Sequence, residues 1–293
     1  MILYFYSILL AVAFLALSGL VRNRWVLWIG LMVMIAGVHF IHLSDPPFLR
    51  MVMICSVLLV GMKGIVLTEW GGGLNWWRRF IFTFLWFGME PTPFDAKQRK
   101  LSWKKDAVTG VVCLLVGLAA GIAVAHMNDA PLLLMFVPLS LAFHYGLLRL
   151  LTAFWRMQGI AVRPLFRNPL VCRGLDDFWS RRWNLSFSQM MARTVQRPVT
   201  KQFSKRMGVF AVFVVSGLLH ELAITLPVQS GYGLPTLYFT MHGLVVLIEK
   251  DDWPLWLKRT LAITLVAAPL PLLFPEKFTQ EVIVFTLNQL AIF

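Results

Sequence analysis

The pair His220–Glu221 stands inside an apolar run from Met207 to Pro227. A neutral imidazole, with an ordinary pKa near 6.5, can take a proton close to working pH, so a histidine is a natural general base. His220 follows Met207 by thirteen residues. At about 1.5 Å per residue that is roughly 20 Å along a helix, within a hydrocarbon core about 30 Å thick. A charged residue there costs about 2.5–3.5 kcal/mol, so such a residue faces protein or a water-filled cavity and is a functional candidate by default. Ser216 and Gly217 lie one turn earlier on the same face, small enough to let a helix approach or to leave room for a substrate. A neutral histidine satisfied by a neighbouring helix is the plainer alternative.

The second candidate is Asn184, whose amide can orient a base or donate to a developing oxyanion without adding charge. It lies in the stretch 156–206, where cations are interleaved with Phe166, Leu170, Phe178, Trp179, Trp183, Phe187, Met190 and Met191. Long charged connections of this kind are often functional. Leu175, Trp179, Trp183 and Phe187 recur every four residues and predict a helix. Asp177, Ser180, Arg181, Asn184 and Ser188 fall on another face of it. An amphipathic helix resting on lipid headgroups explains the same pattern.

Other chemistries lose support. H-E-x-x-H would need histidine where Ile224 stands, and G-x-S-x-G, the P-loop and G-x-G-x-x-G are absent. His39 and His42 share a face near the end of a span, His126 sits at a boundary, and His144 and His242 read as polar packing contacts. Cys55, Cys113 and Cys172 are an odd set that implies no disulfide framework. No metal is required.

The elements that must hold these residues are set by composition. Of 293 residues, 58% are hydrophobic and 14% charged, with mean hydropathy +0.72, which excludes a soluble globule. Continuous Leu, Val, Ile, Phe and Met runs without period-2 alternation exclude a transmembrane barrel and predict an all-α, polytopic helix bundle. About eight spans are expected: 2–20, 25–43, 51–68, 107–126, 131–151, 207–227, 234–249 and 260–274. The stretch 281–293 is short for a crossing, and Leu74–Met89 is interfacial or re-entrant. The first span lacks the basic start of a signal peptide and reads as retained. Pro131, after the near-neutral turn Met127–Ala130, opens a second helix whose partner is 107–126, so two crossings return to one side. That side carries the basic loops 97–105 and 156–206 and, by the positive-inside rule, is cytoplasmic; if Leu74–Met89 does not cross, Arg22 and Arg24 join it. The net charge of +13 thus reports topology and anionic headgroups, and no nucleic acid is expected. No repeat or linker separates the chain, so 1–293 reads as one membrane-embedded unit.

Four segments in order carry a family resemblance: W-F-G-M-E-P-T-P-F from Trp86, D-D-F-W-S-R-R-W-N-L from Asp176, V-S-G-L-L-H-E-L from Val215 and M-H-G-L-V-V-L-I-E-K from Met241. Together, over residues 86–250, they resemble the wax-synthase branch of the membrane-bound O-acyltransferases. Ser180 stands where a glycine is expected in plant members. The resemblance implies a helix bundle around a reaction chamber, acyl-CoA as co-substrate with no permanently bound cofactor, and a lipidic alcohol as acceptor, among membrane lipids. By position it assigns His220 as the essential histidine and Asn184 as the motif asparagine. Trp179, Trp183 and Ser216 then become substrate-binding candidates. Arg181, Arg182, Lys201, Lys205 and Arg206 become candidates for the coenzyme A phosphates, although membrane anchoring explains a basic stretch equally well. Two other readings differ in class. A proton-coupled transporter would use His220, Glu221, His144 and Glu249 as a relay, and a membrane haem or metal protein would use paired histidines.

Overall fold

The computed structural model describes residues 2–18, 20–21, 23–127 and 132–285. Its principal helices are α1 (Ile2–Ser18), α2 (Arg24–Ile41), α3 (Pro47–Trp70), α4 (Trp76–Phe84), α5 (Lys104–Ala125), α6 (Phe136–Met157), α7 (Leu175–Arg181), α8 (Leu185–Met191), α9 (Arg197–Gln202), α10 (Lys205–Val228), α11 (Leu234–Ile248) and α12 (Leu255–Ala267). No strand occurs among the described residues.

Five of these, α2, α3, α5, α6 and α10, are long and apolar enough to cross a membrane; Tyr4–Ala16 and α11 are shorter apolar helices. The chain is thus an all-helical membrane protein, with five such helices among the described residues against the eight spans expected. The expected span 260–274 falls on α12, which ends at Ala267, just before Pro269, because proline cannot continue the hydrogen-bond ladder; a short helix, Leu270–Leu273, follows in the sequence. Arg22, Asn128 to Pro131 and the end of the 281–293 stretch lie outside the described residues.

The chain divides into two compact units. The first comprises Met1–Gly72, Met190–Ile248 and Pro269–Thr286. Within it, helices meet at small residues, since lipid supplies no hydrophobic drive and backbone approach decides packing. A Cβ on Gly217 would lie 2.6 Å from Thr236 Cα, and one on Gly243 would lie 2.8 Å from Phe213 Cβ. These two contacts lock α10 to α11. At one end of the unit a polar knot ties α1 to the turn between α2 and α3. Ser7 Oγ is 2.9 Å from His42 Nε2, His42 Nδ1 is 2.6 Å from Asp45 Oδ2, and Tyr4 donates to the same oxygen at 2.7 Å. Buried Arg50 then donates to the carbonyls of His42, Leu43, Asp45 and, at 2.9 Å, Pro227. That last bond fixes the far end of the His220 helix.

The second unit contains Gly73–Gln189 and Glu249–Ala268. Its α5 and α6 form an antiparallel hairpin in which Asp106 pairs with Arg149 at 2.7 Å and Arg156 at 2.6 Å. The start of α5 and the end of α6 therefore meet, as a return to one side requires. Asn75 caps α4 by accepting from Arg78 N at 2.8 Å, and the exposed Trp76, Trp77, Phe80 and Phe84 give this short helix the apolar face of an interfacial element.

Candidate active site

His220 closes the regular part of α10; the next five residues, Glu221–Thr225, form a π-helical turn, a distortion frequent at functional sites. Its Nδ1 lies 2.7 Å from the Ser216 carbonyl. A carbonyl only accepts, so Nδ1 carries the proton and Nε2 is the basic nitrogen of the neutral ring. Phe239 of α11 backs the imidazole with ring centroids 4.3 Å apart. Ser216 is buried and its hydroxyl donates to Val212 O at 2.6 Å, so it acts on His220 through its main-chain carbonyl.

Glu221 points its carboxylate at the start of α11. Oε1 accepts from Gly233 N and Thr236 N, each at 3.0 Å, and from Thr236 Oγ1 at 2.8 Å, while Oε2 accepts from Thr225 Oγ1 at 2.5 Å. The acid thus satisfies main-chain donors that a helix start leaves open, and it seats the helix that carries Phe239.

Asn184 corrects the expectation of one continuous helix through Leu175–Phe187. Helix α7 stops at Arg181, and Asn184 adopts φ 44°, a left-handed conformation that asparagine tolerates better than most residues. Its Oδ1 accepts from Phe187 N at 3.2 Å and so starts α8. The break is held by Arg167 N bonding Arg182 O and by Leu185 N bonding Leu165 O, both at 2.8 Å. Trp183, in the break between the two helices, stacks on Phe178 at 5.8 Å and meets Phe166 edge to face at 5.1 Å.

Upstream, α7 is anchored by Glu249, whose Oε2 accepts from Leu175 N at 2.8 Å; burial raises this carboxyl above its ordinary pKa, against that hydrogen bond. A Cβ on Gly174, at φ 151°, would sit 1.7 Å from the carboxylate, so only glycine fits there. Arg182 is committed to Asp177 at 2.5 Å. Burial opposes ionisation of Asp177, but the Arg182 and Arg173 hydrogen bonds outweigh it and hold its pKa low. Arg181 is exposed and Trp179 half-buried.

Of the remaining cations, Lys201 and Lys205 line a pocket of about 400 Å³ together with Arg197, Gln196 and Thr200. Arg206 turns away to the Leu247 carbonyl, 3.2 Å distant. The sequence reading missed Arg197 in this group. It also passed over Lys63, fully buried in α3, whose signal was a lone cation inside an apolar run. Among the described residues no three His, Cys, Asp or Glu side chains converge as a metal cage.

The segment that holds both Asn184 and His220 decides the relationship. Residues 162–241 match the membrane bound O-acyl transferase family. Probable long-chain-alcohol O-fatty-acyltransferase 1 of Arabidopsis thaliana is 36% identical over 110 residues, 33% of this chain and 32% of the relative. The long-chain-alcohol O-fatty-acyltransferase of Simmondsia chinensis is 30% identical over 100 residues, 31% of this chain and 28% of the relative. An acyl-CoA–sterol O-acyltransferase of Arabidopsis thaliana is 37% identical over 73 residues, 22% of this chain and 21% of the relative. The alignments thus span about a third or less of each of these relatives. Over part of its length the chain is thus similar to the wax-synthase branch of the membrane-bound O-acyltransferases.

Proposed function

We propose that this protein transfers an acyl group from acyl-CoA to the hydroxyl of a lipidic alcohol, with His220 as general base. The observation that carries the reading is the tautomer of His220: within a segment matched to O-acyl transferases, its Nδ1 is held by the Ser216 carbonyl at 2.7 Å, which leaves basic character on Nε2. In the reaction, Nε2 takes the hydroxyl proton as the oxygen adds to the thioester carbonyl. The tetrahedral adduct then collapses, the carbon–sulfur bond breaks, and the imidazolium returns the proton to the departing thiolate, giving ester and free coenzyme A. Asn184 supports the turn beside Trp183 and is assigned to orienting substrate or donating to the oxyanion. Trp179 and Trp183 are assigned to substrate binding. Arg197, Lys201 and Lys205 are the phosphate-binding cations, and Arg181 and Arg206 remain further candidates for the coenzyme A phosphates. By the positive-inside rule the basic loops 97–105 and 156–206 are assigned to the cytoplasmic side, where acyl-CoA is available.

The transporter alternative finds its carboxylates otherwise engaged, since Glu221 and Glu249 both accept main-chain N–H bonds at helix starts. The deciding experiment incubates the pure protein with labelled acyl-CoA and a panel of fatty alcohols, sterols, diacylglycerol and water, and identifies products by mass. Ester with an alcohol is expected. Free fatty acid alone would replace the reading with a thioesterase, and pH-driven flux in liposomes without acyl donor would replace it with a transporter.

A further inference from the structure

In the second unit, α6 is interrupted by a π-helical segment, Leu141–Leu147, and the reason it sits there is visible on its two sides. Toward α5 the backbones nearly touch: a Cβ on Gly117 would lie 2.5 Å from Ala142 N, and one on Gly146 would lie 2.8 Å from Leu114 Cα. Ala142 and Gly146 therefore face α5. His144, midway between them, is turned to the other side, toward the segment that matches the O-acyl transferase family.

There the imidazole meets aromatic rings on several sides. Phe166 is 4.3 Å away, Phe143 5.2 Å and Trp183 5.4 Å, centroid to centroid. One ring nitrogen, Nδ1, is held by Ser140 Oγ at 2.9 Å. Among the described residues the other, Nε2, has no hydrogen-bond partner, and it is not one of the sealed-off polar atoms. A half-buried imidazole with apolar walls and one uncommitted nitrogen leaves that nitrogen to a ligand or to water. Its two immediate neighbours do not share this condition: Tyr145 donates to Arg167 O at 3.1 Å, and Trp183 is packed edge-on to Phe166 at 5.1 Å.

We infer that His144 and its aromatic sleeve bind the acceptor, by a hydrogen bond between Nε2 and the hydroxyl of a long-chain alcohol whose hydrocarbon lies against Phe143, Phe166 and Trp183. The chemistry selects this class. A hydroxyl both donates and accepts, so it satisfies Nε2 whichever nitrogen carries the proton, while apolar walls favour a hydrocarbon chain. The π turn supplies the geometry by widening the helix where the side chain must leave it. This assignment rests on the acyl-transfer reading only for the identity of the acceptor; binding is measurable without turnover.

The test uses the full chain in lipid nanodiscs and a hexadecanol carrying a photoreactive diazirine in its chain. Labelling of peptides within 140–187 is expected, competed away by hexadecanol and not by hexadecane. His144→Phe, which keeps a ring of similar shape and removes the nitrogen, lowers labelling at least fivefold, whereas His144→Asn retains a polar contact and part of the labelling. Labelling that hexadecane competes equally well, or that survives unchanged in His144→Phe, overturns the inference. If His144→Phe fails to fold, the competition pattern of the native protein decides alone. Alcohol binding without ester formation from any acyl donor would sink the acyl-transfer reading and leave this site standing. Ester formation with the same alcohol KM in His144→Phe would do the reverse.

Discussion

Two buried polar regions of this protein use histidine in opposite ways. In the knot at the turn between α2 and α3, His42 is fully buried and both of its ring nitrogens are taken, one by Ser7 and one by Asp45. Asp45 in turn accepts from Tyr4, and Arg50 spends its guanidinium on four carbonyls. Such saturation is what stability demands of polar groups out of water, since each unpaired one costs about 1–3 kcal/mol. At His220 and His144 a main-chain carbonyl or a serine fixes Nδ1, and the local helix is distorted into a π turn beside or around the residue. A histidine that locks a fold closes its hydrogen-bond account on both sides. At His220 and His144 the fixed nitrogen is Nδ1, and under the proposed chemistry Nε2 is the nitrogen that would meet a substrate hydroxyl.

The sharpest test of that contrast is His220→Ala. Loss of a general base costs about 10²- to 10⁴-fold in rate, so ester formation from labelled acyl-CoA is expected to fall by at least a hundredfold. The purified variant should retain its unfolding midpoint and still bind acyl-CoA. Turnover that survives would place His220 with His42 as a structural residue and erase the contrast.

Asn184 stands between the two classes, since its backbone and its side chain both build a turn. Asn184→Asp keeps an acceptor for the Phe187 amide, and aspartate also tolerates the left-handed conformation. Asn184→Ala loses both, at about 1 kcal/mol for the cap and about 1–2 kcal/mol for the left-handed backbone. Turnover per folded molecule is expected to drop tenfold or more in Asn184→Asp at unchanged yield, because a carboxylate cannot donate to a developing anion. Full activity in that variant, measured against protein recovered from the membrane, would assign Asn184 to the turn alone.

These residues also show what could be read before the structure. The apolar runs located α2, α3, α5, α6 and α10, and the charge clusters flanking 107–151 foresaw a hairpin whose ends meet at Asp106, Arg149 and Arg156. The His220 run and the W-N-L motif pointed to the segment later matched. The break at Asn184 was hidden because two short helices kept one four-residue spacing, and periodicity alone is blind to a residue at positive φ between them. The knot was hidden for another reason. Tyr4 and Ser7 come from α1 and His42 from the end of α2, and nothing local marks a serine in an apolar helix as the partner of a histidine thirty-five residues on. Five of the expected spans are long and apolar enough to cross a membrane among the described residues, and Tyr4–Ala16 and α11 are shorter apolar helices.

From the structural side, His42→Leu should leave Ser7 Oγ and one Asp45 contact unsatisfied. A loss of about 1–3 kcal/mol is expected for each buried group stranded, read as a lowered unfolding midpoint in detergent, with turnover per folded molecule unchanged. A variant with native stability and impaired chemistry would move the knot into the active site and invert the comparison.

The smallest effect concerns pH. The Tyr4 hydroxyl, then the His42 hydrogen bond, hold the Asp45 carboxyl below its ordinary value, outweighing the partial burial that opposes them. A carboxyl whose folded pKa is depressed stabilises the fold fully above its unfolded value, about 3.9, and loses that contribution as pH falls through the lower folded value. The difference in unfolding midpoint between the native protein and Asp45→Asn should therefore be constant from pH 7 to about 5 and shrink below about 4. Comparing the two proteins cancels the other carboxylates, which titrate in both. A gap that persists unchanged at pH 3 would mean that the amide fails for reasons of shape, and that the charge of Asp45 contributes nothing to the closed network around His42.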